Sequence, residues 1–294
     1  MTLVWASSFS TQVSDPDAQA YIEAVETQDA QPLEVGVAHA INTFVLGCKA
    51  DGIWDAIKAS CILAGARTLS GALVPLKGTA PTNNNFVSGD YNRETGLVGN
   101  GSTKYLNSNR ANSADPQNNF HMSVWVTAAS SGGYYMASNV ATVNASSIFN
   151  NPGGAQEKWM NRSEVNNQYT SNTHNTTGLK GTTRNSSSTF LVRTVGSTLT
   201  PTGGSLVSVS PEPANIYLFA RNGTSNVPAG FADARLSFYS IGEHLGLGKL
   251  DNRTTRLMNL ITYSFTAGLP ELATMDLDAA SYIGAVYRAG GTLS

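Results

Sequence analysis

The chain has 294 residues, of which 41% are hydrophobic, enough for a real core in one large domain and a smaller unit, and too much for a disordered adaptor. Only 13% are charged and the net charge is −2, which argues against electrostatic capture of nucleic acid, since that needs clustered Lys and Arg. No stretch reaches the roughly 18 consecutive apolar residues of a membrane helix, and the opening residues after Met1 lack the basic start and apolar run of a signal peptide.

In chain order, the first expected element is a helix from Ser14 to Asp29. Ser14 or Asp15 caps it, Pro16 fits its first turn, and Tyr21, Ile22 and Val25 share a face. A second helix is expected from about Pro32 to Lys49, with Leu33, Val37, Ile41, Phe44 and Cys48 as its stripe. Trp54, Ile57, Cys61, Ile62 and Ala66 then repeat at three-and-four spacing, which predicts a third helix from Asp51 to Gly65. Three short helices make a marginal bundle that needs a neighbour to complete it. Cys48 and Cys61 lie on apolar faces without histidine or cysteine at ligand spacing, so buried free thiols are expected rather than zinc or a disulfide.

From about Leu73 to Ser240 the texture changes to strand and turn. Residues 121–128, 188–195, 214–221 and 234–241 carry β-branched and aromatic residues, separated by turn-forming runs such as NNPGG and RNGTSN. Many short strands without helical spacing predict an antiparallel sandwich, with a jelly roll fitting best. A closing helix is expected from Asp251, as its cap, to about Phe265, with Leu257, Leu260 and Ile261 turned inward. Near the end, DLDAASYIGAV at 276–286 repeats DPDAQAYIEAV at 15–25. Either two amphipathic helices converge on one pattern, or a terminal helix bearing Tyr282, Ile283 and Val286 docks into a helical unit, its own or an adjacent subunit's, as an assembly connector, as Tyr21, Ile22, Val25 and Trp54 would in the first unit.

Chemistry leaves few candidates. Glu157, Glu164 and Glu212 form no alternating carboxylate pair of the kind a glycosidase needs, and all three read as solvated surface. His39, His121, His174 and His244 are scattered, and no GxSxG elbow is present. GLVGNGSTK at 96–104 lacks the Gly-Lys-Ser/Thr ending of a phosphate loop and leads into a strand, so a β-turn is expected. Asp90, Asn92 and Asp115 offer oxygen ligands that could hold calcium, but their spacing matches no EF-hand, and the Asn-X-Ser/Thr sequons mark polar loops only. No cofactor or metal site is expected. Tyr134, Tyr135, Trp159 and Tyr169 lie beside Asn- and Ser-rich runs, a mixture that suits sugar rings, although sheet core or cross-strand pairs would use the same residues.

Three segments, CILAGARTLSGALVPLKG (61–78), FVSGDYNRETGLVGNGSTKYLNSNR (86–110) and ARLSFYSIGEHLGLGKLDNRTTRLMNLI (234–261), carry a further likeness. With the handover from helical to β texture, the chain resembles bacteriophage virion structural proteins in which a helical unit precedes a laminin-G/concanavalin-like jelly roll. The resemblance implies a connector over 1–72, a jelly roll with its closing helix over 73–268, and a terminal helix over 269–294. It further implies a non-enzymatic virion protein assembled in the host cytoplasm, homo-oligomeric and bound to other virion proteins. A tail fibre or baseplate-associated adhesin facing host-surface polysaccharide is the first expectation. A capsid decoration protein is the second, and a soluble carbohydrate-binding module the rival from another class.

Overall fold

The structure is a computed structural model that describes residues 13–138, 144–151, 153, 155–163, 168–171 and 173–266. The chain enters through α1 (Pro16–Asp29), capped by Asp15, whose carboxylate accepts the amides of Asp17 at 2.9 Å and Ala18 at 3.3 Å. The second helix, α2 (Val35–Ala50), starts three residues later than Pro32. Both match the expected helices within the usual fraying of boundaries.

The third expected helix is a strand. After α2 the chain turns through Gly52 at φ +70, and β1 (Ile57–Ile62) pairs antiparallel with residues 238–242. Ala59 and Cys61 enter the core between the sheets, whereas Ile62 joins the core beneath the helices. A strand buried on both faces has a near-continuous apolar run, and over so short a span that run also satisfies helical spacing. Cys61 therefore stands on a strand and Cys48 on a helix; both are free and buried.

Two sheets follow. Among the described residues the first contains β1, β3 (Tyr91–Asn92), β4 (Gly96–Val98), β6 (Phe120–Ala128), β11 (Gly178–Arg184), β12 (Leu191–Thr194), β13 (Ser197–Leu199) and β17 (Arg235–Gly242). Its order is β13-β12-β11-β6-β17-β4-β3, with β1 sharing the edge of β17 that β4 also uses. The second contains β2 (Thr82–Asn84), β5 (Tyr105–Ala111), β7 (Gly133–Ala137), β8 (Ser146–Asn151), β9 (Gln156–Asn161), β10 (Gln168–Ser171) and β14 (Asn215–Leu218), with β15 (Arg221–Asn222) and β16 (Pro228–Ala229) at one side. Its order is β10-β9-β8-β7-β14-β5-β2, antiparallel apart from one parallel pairing of β15 with β7. The two sheets form a sandwich. Met122, Val124, Tyr239 and Ile241 of one sheet meet Leu106, Ile148, Trp159 and Leu218 of the other in a common core.

The outer face of the first sheet is covered. Trp125, Leu179 and Phe238 share a core with α1, α2, Ala72 of the single-turn α3 (Leu69–Ala72), and α4 (Leu247–Thr266). The closing helix is thus present but begins before Asp251, which lies inside it and accepts a hydrogen bond from Arg193 Nε at 2.8 Å. The molecule is layered as helices, first sheet, second sheet. The terminal segment 269–294, with Tyr282, Ile283 and Val286, lies outside the described residues.

Candidate functional site

The four expected sugar contacts separate by strand register. Trp159 pairs with Ile148, and both point between the sheets; Trp159 and Tyr135 are each 0% exposed and offer no face to a ligand. Both residues are sandwich core rather than sugar contacts. Lys158, one position from Trp159, therefore takes the outer face, and its cross-strand partner Phe149 pairs in turn with Tyr134. Tyr134 is half-buried and its ring lies 4.5 Å from that of Phe149. On the other side of Lys158, the register places Tyr169 opposite it, so Tyr134, Phe149, Lys158 and Tyr169 occupy one row across four strands.

A second group of rings stands on the same sheet. Tyr105 lies 4.8 Å from Tyr217 and 6.3 Å from Phe231. Glycines bring the two groups together. Gly230, at φ +60, has the Tyr134 ring where a Cβ would come within 2.7 Å, and its carbonyl accepts the Tyr134 amide at 2.9 Å. Burial pushes the Tyr134 hydroxyl above its ordinary pKa, against the pull of nearby Arg221. Beside the rings run Asn107, Thr82 and Asn109, with Asn109 Nδ2 donating to Thr82 Oγ1 at 3.0 Å. Among the described residues no α-helix lies over this face; a single 3-10 turn, Thr224–Asn226, stands against Tyr217, whose hydroxyl donates to the Asn226 carbonyl at 3.4 Å and whose ring is buried. The face is a half-buried aromatic band edged by amides, hydroxyls and two basic side chains. Such a surface offers flat apolar faces and adaptable hydrogen bonds together. Phe149, Tyr105, Tyr217 and Phe231 were not singled out from sequence, although alternation with Ile148 and Leu106 carried the signal for Phe149 and Tyr105.

The carboxylates are elsewhere. Glu157 was expected on the surface, but it shares the inward parity of Trp159 and forms an ion pair with Lys180 in which both side chains are 0% exposed. Thr194 Oγ1 donates to Glu157 at 2.9 Å, and Lys180 also donates to Thr176 Oγ1 at 2.8 Å. Desolvation lowers the Lys180 pKa, opposed by Glu157. Charge was tolerable inside because each partner neutralises the other. Glu212 is half-buried beside Pro213, in a shallow cleft with Ser225 and Asn226. Glu164 lies outside the described residues.

The other polar candidates serve local structure. Asn100 Oδ1 accepts the amides of Ser102, Thr103 and Lys104, closing the turn before β5. Asp90 pairs with Lys104, Asp115 with Arg110, and Asn92 accepts the amides of Glu94 and Thr95. His121 is buried; its Nδ1 donates to the Glu243 carbonyl at 2.5 Å and its Nε2 accepts from Ser240 Oγ at 2.6 Å. Burial pushes the Cys48 and Cys61 thiols up to about 12. Among the described residues no group of three or more His, Cys, Asp or Glu could hold a metal ion, and no helix is long and apolar enough to cross a membrane.

Four of the residues expected to drive assembly, Tyr21, Ile22, Val25 and Trp54, make their contacts within the chain, and Tyr282, Ile283 and Val286 lie outside the described residues. Tyr21, Ile22 and Val25 are buried in the helical core, and Trp54, in the turn after α2, donates from its indole to Asp17 at 3.0 Å beneath Lys77.

No family model matches this sequence, and no curated protein matches it. Among solved structures, a mutant of Trypanosoma rangeli sialidase is 10% identical with a TM-score of 0.48, covering 74% of this chain and 39% of its own. The NanB sialidase of Streptococcus pneumoniae is 11% identical with a TM-score of 0.35, covering 52% of this chain and 27% of its own. Domain 4 of AbnA, an extracellular arabinanase of Geobacillus stearothermophilus, is 11% identical with a TM-score of 0.34, covering 60% of this chain and 82% of its own. The chain thus spans less than half the length of the two sialidases. By its own strand register it is an antiparallel β-sandwich with a helical layer on one sheet and, among the described residues, a half-buried aromatic band on the outer face of the other.

Proposed function

We propose that the chain is a non-enzymatic structural protein of a bacteriophage particle, a tail-fibre or baseplate-associated adhesin whose uncovered sheet binds host-surface polysaccharide. The observation that carries the binding reading is the outward band of Tyr134, Phe149, Tyr105 and Phe231, flanked by Asn107 and Asn109. Stacking of sugar rings on such faces is favourable and needs no deep pocket. The sandwich is read as a jelly roll of the laminin-G/concanavalin kind, and the opposite, helical side is left for attachment to other virion proteins and to further copies. The particle role rests on the resemblance of residues 61–78, 86–110 and 234–261 to phage virion proteins.

The test has two parts. On an array of bacterial surface polysaccharides the full chain is expected to bind, and Phe149→Ala to bind about 2- to 10-fold more weakly, the value of one stacked ring. Antibody labelling of purified particles by electron microscopy is expected at the distal tail. Label over the head would favour the capsid-decoration reading; protein found only free in the lysate would leave a soluble carbohydrate-binding module.

A further inference from the structure

The charges of the second sheet are unevenly placed. Among the described residues its strands carry three basic side chains, Arg110, Lys158 and Arg221, and one carboxylate, Glu157, which is turned inward and paired with Lys180. Arg110 is held by Asp115. The carboxylates of the adjoining loops are engaged as well: Asp90 pairs with Lys104, and Asp233 accepts the hydroxyls of Ser130 and Ser131, each at 2.6 Å. Glu212 is half-buried in the cleft beside Pro213. A chain whose net charge is −2 thus sets basic groups, and no strand carboxylate, among the rings of this face.

Arg221 differs from every other described lysine and arginine. Each of those makes a hydrogen bond, an ion pair or a ring contact, as Arg235 does by donating to the Gly96 carbonyl at 2.7 Å, whereas Arg221 makes none. Its place is nevertheless fixed. The backbone of Arg221 pairs with Ala137 of β7 on one side and Ala229 of β16 on the other. The point where a Cβ on Gly230 would stand is 2.7 Å from the Tyr134 ring and 3.9 Å from Arg221 Cγ, so the half-buried arginine stem runs beside that ring. Its charge is felt at the Tyr134 hydroxyl.

We propose that the ligand of the aromatic band is an acidic polysaccharide, whose uronate rings stack on Tyr134 and Phe149 and offer their carboxylate to Arg221. The inference rests on the reading of the band as a sugar-binding face. A pyranose lying flat on an aromatic ring turns its substituents outward at its rim, and in a uronate one of these is a carboxylate. The planar guanidinium fork matches the two carboxylate oxygens. A neutral sugar would cover the arginine and leave its donors without an acceptor of that strength. On the other side of the ring pair, Lys158 stands next to Phe149 in the same row and adds a second positive charge along the path of the polymer.

Binding of the full chain to capsular polysaccharides that contain glucuronate or galacturonate, each beside its carboxyl-reduced form, tests this. Reduction turns the carboxylate into a primary alcohol and keeps the sugar ring. Wild type is expected to bind the native polymers about 5-fold or more tightly than the reduced ones, with the advantage shrinking as salt is raised. Arg221→Gln should bring the native polymers down to the level of the reduced ones. Its Tm should stay within about 2 °C of wild type, because the side chain holds nothing in the fold. Phe149→Ala should weaken both forms alike. The proposal is overturned, with the sugar-binding face left standing, if native and reduced polymers bind equally, if dextran sulfate binds as tightly as the uronate polymers, or if Arg221→Gln unfolds the chain early. Binding of neither form, or no effect of Phe149→Ala, would overturn the reading of the band together with the proposal.

Discussion

At the scale of single residues, the interior of the sandwich is less apolar than its composition suggests. Glu157 and Lys180 face each other with both side chains fully buried. Removing one charge strands the other, so Lys180→Met is expected to cost about 3–5 kcal/mol, while Glu157→Leu/Lys180→Met should regain most of that loss. Urea unfolding checks it, and a double variant no better than the single would contradict the pairing. The position of Glu157 was legible in principle, because it stands two residues from Trp159 on a strand. The polar run around it masked the alternation, and burial of a carboxylate depends on a lysine that sequence distance hides. His121 makes a second test. Burial depresses its pKa to about 3 from an ordinary 6.5, so below pH 6.5 the unfolded chain takes up a proton that the folded chain refuses. Stability is therefore expected to fall with pH, by about 2 kcal/mol between pH 6.5 and 5.0, and His121→Gln should remove that part of the slope.

At the scale of elements, α1, α2 and the strands β6, β12, β14 and β17 were readable because their patterns are long or their caps explicit, as with Asp15 and Pro16. β1 was not. Its two buried faces erase alternation, and what decides for a strand is the pairing with β17, some 180 residues later in the chain, which no local window contains. That pairing has a precise test in glycine. A Cβ on Gly242 would come within 2.0 Å of the Ala56 carbonyl at the β1 end of the ladder, whereas Gly89 has nothing within 4 Å. Gly242→Ala is expected to cost about 2–3 kcal/mol and Gly89→Ala to stay within about 0.5 kcal/mol, read as shifts in Tm. Equal, small effects would mean that β1 does not lie against β17 in this register.

At the scale of the whole molecule, the division of labour follows from which sheet face is covered. The helices hide Trp125, Leu179 and Phe238 on the first sheet, and the corresponding face of the second sheet keeps Tyr105, Tyr134, Phe149 and Phe231 half-exposed. Of the four aromatics that the sequence offered as sugar contacts, Tyr134 stands on that face, Tyr169 shares its row by register, and Trp159 and Tyr135 are core. Composition identified the kind of residue, while parity along each strand decided its side. The bulge between Tyr134 and Met136 shows why that parity could not be counted through β7 from sequence alone. Hydrogen–deuterium exchange of the full chain, with and without a polysaccharide that it binds on the array, tests the central claim most directly. Protection is expected over β5, β7, β8 and the Gly230–Phe231 turn, with α1, α2 and α4 unchanged. Protection over the helical layer, or none on the second sheet, would contradict the assignment of the aromatic band as the binding face.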